Sequence, residues 1–306
     1  MLEFEQNFFL GETRDNFYIE PMMKCAWAAE LEVLDAIAQI CNKYNIRWFA
    51  DWGTLLGAVR HRGFVPWDDD LDICMLRADY KRFLQVASEE LPDGLHVLNL
   101  YTRDDWPELF TRVVNAMHVT YDEEHLRKFH GCPYMVGIDI FPLDALPKSQ
   151  SEEEHQKTLI KTLISCSRQY ASDPEEIISL LPDLENLTGV QFDREKSIYN
   201  QLLRAADHVC CKHNKKKPEI VTLMTVNARW RYHLKYEWYR TTEYIDFENI
   251  TLPCPGNYDE ILTVMYKDWR TPVRGRSTHE YPFYNKQKKA LQEGLEARIM
   301  RGEFLK

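Results

Sequence analysis

Residues 51–73 read DWGTLLGAVRHRGFVPWDDDLDI, and the acidic end of this stretch decides the fold. Asp68, Asp69, Asp70 and Asp72 put four carboxylates within five positions. Two like charges 4 Å apart at an effective dielectric near 20 repel by about 4 kcal/mol. A folded chain keeps such a cluster only by solvating it, protonating it or neutralising it with a cation, and a hard divalent ion with oxygen ligands is the natural partner. Asp70 and Asp72 flank Leu71, and Ile73 and Met75 continue the alternation, which suits a strand whose residues two apart share a face. Upstream, Gly53 and Thr54 read as a Gly-Thr turn in which Thr54 caps a short helix, TLLGAVRH, ended by Gly63 and Pro66. Such a turn offers N–H groups and a hydroxyl to a phosphate. Arg60 and Arg62, between the turn and the carboxylates, are candidate partners for phosphate oxygens, although in isolation they read first as surface charges.

Outward from this stretch, Trp27, Leu31, Leu34, Ile37, Cys41 and Tyr44 recur three or four apart and predict an amphipathic helix over 22–44. Residues 46–51 and 70–76 read as strands and 77–90 as a helix. Residues 96–100 and 110–121 are β-like. Residues 134–141, YMVGIDIF, are a further strand with Asp139 between two isoleucines. A buried, unpaired carboxylate is costly, and a metal shared with an adjacent strand removes that cost. From 151 to about 210 the pattern is helical, with 190–210 a second helix of that set, and the lysine run 212–217 reads as an exposed turn. Residues 220–250 regain β-like and aromatic character, 257–269 predict a closing helix, and the last twenty residues a charged helical tail. The expected architecture is α+β, a mixed sheet flanked by helices. It divides into a catalytic core over 1–150 and a mainly helical substrate-binding part over 151–306, whose aromatic-rich segment packs back on the core.

The 306 residues with 44% apolar content support a sizeable core. A net charge of −10 argues against a nucleic-acid binder, which needs a basic face. No apolar run reaches the roughly 18 residues of a membrane span, and the acidic N-terminus is not a secretory signal, so a cytoplasmic protein is expected, with peripheral contact at the inner membrane face compatible with that. Eight cysteines without CxxC spacing read as reduced thiols, and Cys210, Cys211 and His213 lack the further ligands a metal site needs.

The Gly-Thr turn, the Asp70/Asp72 pair and Asp139 share a logic: metal-assisted transfer of a phosphate-linked group, the cation neutralising donor charge. An acidic triplet alone is also a solvated turn or a calcium loop. The EF-hand version fails, because position twelve counted from Asp68 is Asp79 and no mid-loop glycine follows the acids.

The pattern Gly-Thr, a spacer, Asp-x-Asp and a later apolar-Asp-apolar strand resembles the nucleotidyltransferase fold of the DNA polymerase β type. More narrowly, DWGTLLGAVRHRGFVPWDDDLDI resembles the LicD/fukutin family closely, and GIDIFPLDALP (137–147) and YIDFENITLPCPGNYDEIL with YKDW (244–269) resemble its later blocks. The resemblance implies an Mg²⁺- or Mn²⁺-dependent phosphotransferase that moves phosphocholine or a phospho-polyol from a CDP-linked donor to a hydroxyl of a glycan precursor, lipid-linked or free, releasing CMP. It implies Gly53 and Thr54 at the donor phosphate, Asp70 and Asp72 as the metal pair, Asp139 as third carboxylate, ligand or general base, and Asp68 as a ligand or supporting acid. Lys267 stands in YKDW where the family usually has glycine. Two alternatives stay open: a nucleotidyltransferase that uses an NTP and releases pyrophosphate, and a non-catalytic nucleotide- or sugar-binding subunit. Trp230, Tyr232, Trp238 and Tyr239, with Tyr236 and Tyr244, are a dense aromatic group that reads first as core packing and also suits a choline head group.

Overall fold

Pro21 opens the long first helix at the position where a missing N–H costs nothing, and the rest of the chain is built around it. The computed structural model describes residues 1–214, 218–274 and 281–300. A hairpin of β1 (Glu12–Arg14) and β2 (Phe17–Ile19) leads into α1 (Pro21–Lys43). Then follow β3 (Phe49–Ala50), α2 (Trp52–His61), β4 (Leu71–Leu76), α3 (Arg77–Glu90), β5 (His96–Leu98), β6 (Thr111–Val114), α4 (Glu123–Lys128) and β7 (Gly137–Ala145). Next come the helices α5 (Gln150–Tyr170), α6 (Pro174–Thr188) and α7 (Ile198–Cys210), then β8 (Ile220–Thr222), α8 (Met224–Asn227) and β9 (Leu234–Lys235). The hairpin β10 (Thr242–Phe247) and β11 (Ile250–Pro255), then α9 (Tyr258–Tyr266) and α10 (Tyr284–Met300), complete the described chain.

The main sheet runs β3-β4-β7-β6-β5, with β8 paired to the far end of β7 and β9 to β8. Only β4 and β7 are parallel; the other pairs are antiparallel. The fold is α+β with a mixed sheet flanked by helices, as the alternating patterns predict. One apolar core joins α1, the sheet, the β10–β11 hairpin and α9, and a second lies among α5, α6 and α7. Every apolar position expected on the inner face of α1 from Trp27 to Cys41 is buried there.

The boundaries differ where local signals are weak. The strand expected over 46–51 shortens to Phe49–Ala50, and only Thr111–Val114 of the β-like stretch 110–121 is strand. The region 151–210 holds three helices. Asp173 caps α6 by accepting the Glu176 N–H, and Gly189, at φ +73°, ends it in the left-handed region that favours glycine. Of the lysine run, Lys215–Lys217 lie outside the described residues, as do residues 301–306 of the charged tail.

The two cores meet at a buried ion cluster. Arg77, directly after β4, donates to both oxygens of Asp144 on β7 at 2.7 and 2.6 Å and to Asp207 on α7 at 2.8 Å. Asn214 adds a donor to Asp144 at 2.6 Å, and its own side-chain oxygen accepts the Ala145 N–H. The guanidinium is 4% exposed and its main partner Asp144 1%, so losing the cation strands two carboxylates in the interior. Arg77→Met is therefore expected to lower unfolding free energy by about 3–5 kcal/mol; chemical denaturation that shows less than about 1 kcal/mol would remove this cluster from the account of how the halves hold together.

Candidate active site

The cap of α2 lies three residues earlier than the Gly-Thr reading expects. It is Asp51, whose carboxylate accepts the Trp52 N–H at 3.0 Å. Thr54 lies inside the first turn, and its buried hydroxyl accepts the Asp72 N–H at 2.7 Å. Thr54 thus ties α2 to the start of β4, and its expected capping role is corrected. Gly53 is needed for a close approach: a Cβ there would stand 2.1 Å from Asp68 Oδ2, so only glycine lets the helix start pass under that carboxylate. Trp52 adopts φ +42°, a region costly for a bulky residue. Its ring stacks on Tyr232 with centroids 5.4 Å apart, which together with the Asp51 contact holds the conformation.

The acidic turn folds back toward this helix. The Trp27 indole N–H donates to the Asp68 carbonyl at 3.2 Å. One oxygen from each of Asp68, Asp69 and Asp70 lies within 4.8 Å of the others. Asp72 is the second residue of β4, and the strand register sets it beside Asp139 on β7, which faces Arg112 on β6. Burial first, then Asp70 and Asp139, push the Asp72 carboxyl well above the usual carboxylate range, and burial with Asp70 does the same to Asp68. Burial pushes Asp51 up to about 7 against the pull of the Trp52 N–H and the Cys74 thiol.

Two members of this neighbourhood are absent from the sequence-based site. Arg112 clasps both oxygens of Asp139, the Nη2–Oδ2 bond being 2.7 Å. A cation inside the apolar strand TRVV was the signal for it. Glu30 on α1 is 2% exposed, and burial followed by the nearby aspartates drives its carboxyl well up. It sits one turn after Trp27 on the apolar stripe, a placement that marks a buried acid.

A cavity of about 820 Å³ opens onto the acidic turn, and Asp68, Asp70 and Asp72 line it with Gly53. Its walls carry Trp52, Trp67, Phe141, Trp230, Tyr266, Trp269 and Tyr281, together with Arg60 and Arg274. The expected residues separate here. Arg60 reaches the cavity and donates to the Trp269 carbonyl at 2.7 Å, whereas Arg62 is the exposed left-handed cap of α2 and does not line it. Asp139 and Thr54 stand behind the wall and are not part of the lining. Of the aromatic group, Trp230 is 55% exposed and faces the cavity, while Tyr232 supports Trp52 from behind and Tyr239 packs on Phe49 in the core. Trp238 packs at the core margin under Lys235. The dense aromatic stretch is mostly interior packing, and the cavity's rings come from six separate parts of the chain.

The YKDW block closes one side. Asp259 accepts from the Trp269 indole at 2.9 Å and from Arg270 at 2.5 Å, which fixes the loop after α9. Lys267 caps α9 at φ +61° and ψ −100°, a conformation that favours glycine.

Comparison with known proteins adds to this geometry. Residues 45–142 match the LicD/FKTN/FKRP nucleotidyltransferase domain model. The chain is 24% identical over 249 residues to the lipopolysaccharide cholinephosphotransferase LicD of Haemophilus influenzae, covering 78% of this chain and 88% of that one. Over residues 45–142 the chain is similar to the LicD family. Uncharacterized proteins of Rickettsia typhi and Rickettsia prowazekii are 48% and 46% identical over 51 residues, 17% of this chain and 16% and 19% of theirs. The family match spans α2, the acidic turn, β4 and the row through Asp139, the elements that frame the cavity's acidic floor.

At φ +61° and ψ −100° Lys267 holds a backbone that glycine adopts without strain. Lys267→Gly is expected to raise unfolding free energy by about 1 kcal/mol by relieving the backbone; a thermal melt that moves down or stays level would show that the lysine side chain contributes more than the strain costs.

Proposed function

We propose that this protein is a divalent-cation-dependent phosphotransferase that moves phosphocholine from a CDP-linked donor to a hydroxyl of a cell-surface glycan precursor, with release of CMP. The observation that carries the proposal is the convergence of Asp68, Asp70 and Asp72 on one aromatic-walled cavity. The Haemophilus relative's name supports the choline head group and the lipopolysaccharide acceptor class.

The donor set suits Mg²⁺ or Mn²⁺. It consists of carboxylate oxygens alone, and burial and mutual repulsion raise Asp68 and Asp72 together, an arrangement that a hard cation relieves. Asp70 and Asp72 would hold the ion, with Asp68 beside them. When bound, the ion supplies positive charge against the donor phosphates. Arg60 and Arg274, on the same walls, offer guanidinium N–H groups to phosphate oxygens. Trp52, Trp67, Trp230 and Trp269 line the cavity, and a trimethylammonium group placed over such rings is favoured by cation–π attraction. The glycan hydroxyl attacks the β-phosphorus, its new O–P bond replaces the bond to the α-phosphate oxygen, and CMP departs. Asp68, in the cavity lining, would accept the hydroxyl proton in its ionised form, which a cation bound beside it favours. Asp139, paired with Arg112, stands beside Asp72 in the strand register and adds to the negative charge that a cation at Asp72 would offset.

The test is purified protein with Mg²⁺ and separate CDP-choline, CDP-ribitol, CDP-glycerol and NTPs. Mg²⁺-dependent CMP release with CDP-choline alone is the expected result; release with a polyol donor would move the head group, and pyrophosphate from an NTP would replace the reaction. Asp70→Ala and Asp72→Ala should each lower turnover at least about a hundredfold while the fold survives. A folded variant with near-wild-type turnover would defeat the metal-pair assignment.

Stability should report the ion independently. Asp51, Asp68, Asp72 and Glu30 all have folded-state carboxyls raised above their ordinary values. The folded state therefore binds more protons than the unfolded one, and cation-free stability is lost as pH rises from about 4 through the raised values. Melting temperature without metal is expected to fall between pH 5 and pH 8, and Mg²⁺ to raise it more at pH 8 than at pH 5. An Mg²⁺ effect equal at both pH values would argue against the carboxylates as its site.

A further inference from the structure

Asp69 is the member of the acidic triplet that is not part of the cavity lining, although one of its oxygens lies within 4.8 Å of oxygens of Asp68 and Asp70. It is 2% exposed, and its Oδ2 accepts the Phe283 N–H at 2.5 Å. Asp68 and Asp70, its neighbours on both sides, line the cavity; Asp69 does not. The segment it grips is anchored at two further points. Tyr284 is buried, stacks on Tyr134 with centroids 4.7 Å apart, and its hydroxyl donates to Glu20 at the start of α1. Gln287 brackets the Met135 backbone, accepting its N–H at 2.9 Å and donating to its carbonyl at 2.8 Å. Two residues before Phe283, Tyr281 forms part of the cavity wall.

We propose that Asp69 is a positioning residue: its carboxylate latches the C-terminal arm onto the acidic turn and so holds Tyr281 as a wall of the donor cavity. The chemistry of the contact supports this division of labour. A charged acceptor on a backbone N–H makes a stronger bond than a neutral pair. The site is then completed by a segment more than two hundred positions away in the chain, and the triplet contains two carboxylates in the cavity lining and one clasp.

The inference rests on the proposed function only where turnover is read, so the experiment begins with a readout that needs no substrate. Hydrogen exchange of the full-length protein is compared among wild type, Asp69→Ala, Asp69→Asn and Gln287→Ala, with Mg²⁺ affinity measured by calorimetry against Asp70→Asn. Asparagine keeps an acceptor for the Phe283 N–H and removes the charge. Asp69→Ala should speed exchange over 281–287 by about 10- to 100-fold, with Asp69→Asn within about threefold of wild type. Both should keep Mg²⁺ affinity within about threefold, whereas Asp70→Asn loses it. Gln287→Ala, which leaves the acidic turn intact, should loosen the same segment, and it keeps the test alive if Asp69→Ala does not fold. With an active donor, Asp69→Ala should raise donor KM about tenfold with kcat nearly unchanged, and Asp69→Asn should restore it. Unchanged exchange in Asp69→Ala, or Asp69→Asn losing Mg²⁺ affinity as Asp70→Asn does, would overturn the latch. Wild type inactive on every CDP donor would overturn the proposed function and leave the exchange comparison standing.

Discussion

Mutual repulsion among Asp68, Asp70 and Asp72 is the constraint around which the rest of the site is organised. Left alone, three carboxylates at one corner would drive the turn open. The chain holds it shut with Trp27 on the Asp68 carbonyl and Thr54 on the Asp72 N–H, while Gly53, itself in the cavity lining, leaves room for the Asp68 carboxylate. These contacts come from α1 and α2, and both helices are in turn fixed by burial of their apolar faces. The acidic corner is thus built by the apolar core, and the repulsion is left as a standing preference for a cation.

The strand pair β4–β7 carries two charge clusters at opposite ends. Near its start, Asp72 and Asp139 sit side by side, and Arg112 from β6 neutralises the second of them. Past its end, Arg77 gathers Asp144 and Asp207. The two clusters serve different purposes because their charge sums differ. At the far end one cation meets two carboxylates, with an amide and burial completing a closed set. At the near end one guanidinium faces Asp139, while Asp68, Asp70 and Asp72 open on a cavity. A closed set holds the sheet to the helical layer, and an open set has room for a ligand.

Much of this was legible in the sequence because its signals are local. The stripe from Trp27 to Cys41, the alternation around Asp70 and Asp72, and the 77–90 helix each depend on side chains a few positions apart, and each stands where the pattern places it. Asp139 in its apolar strand also reads correctly as a neighbour of Asp72. What failed was nonlocal. Asp51 caps α2 because the strand before it ends at Ala50, which a Gly-Thr dipeptide cannot announce. The stretch from Trp230 to Tyr239 is dense in rings, yet density along the chain says nothing of direction: Tyr232 and Tyr239 turn inward and Trp230 outward. Trp67, Tyr266, Trp269 and Tyr281 reach the cavity from distant segments, each unremarkable in its own surroundings.

Two strained backbones border that cavity, and their positions have a common physical sense. Trp52, at φ +42°, puts its indole on the wall while its N–H meets Asp51 behind. Lys267, at φ +61°, turns the chain sharply so that Asp268 and Trp269 follow on the wall after Tyr266. In a relaxed helix start or end, successive side chains would fan around the axis, and neighbouring rings would not share one surface. A residue in the left-handed region breaks that progression and lets adjacent positions contribute to one wall. The cost is of order 1–3 kcal/mol each, and it is borne by contacts outside the cavity: the Trp52–Tyr232 stack on one side, and Asp259 with Trp269 and Arg270 on the other. A ligand entering such a site meets rings already in place, so its binding free energy is not reduced by having to order them.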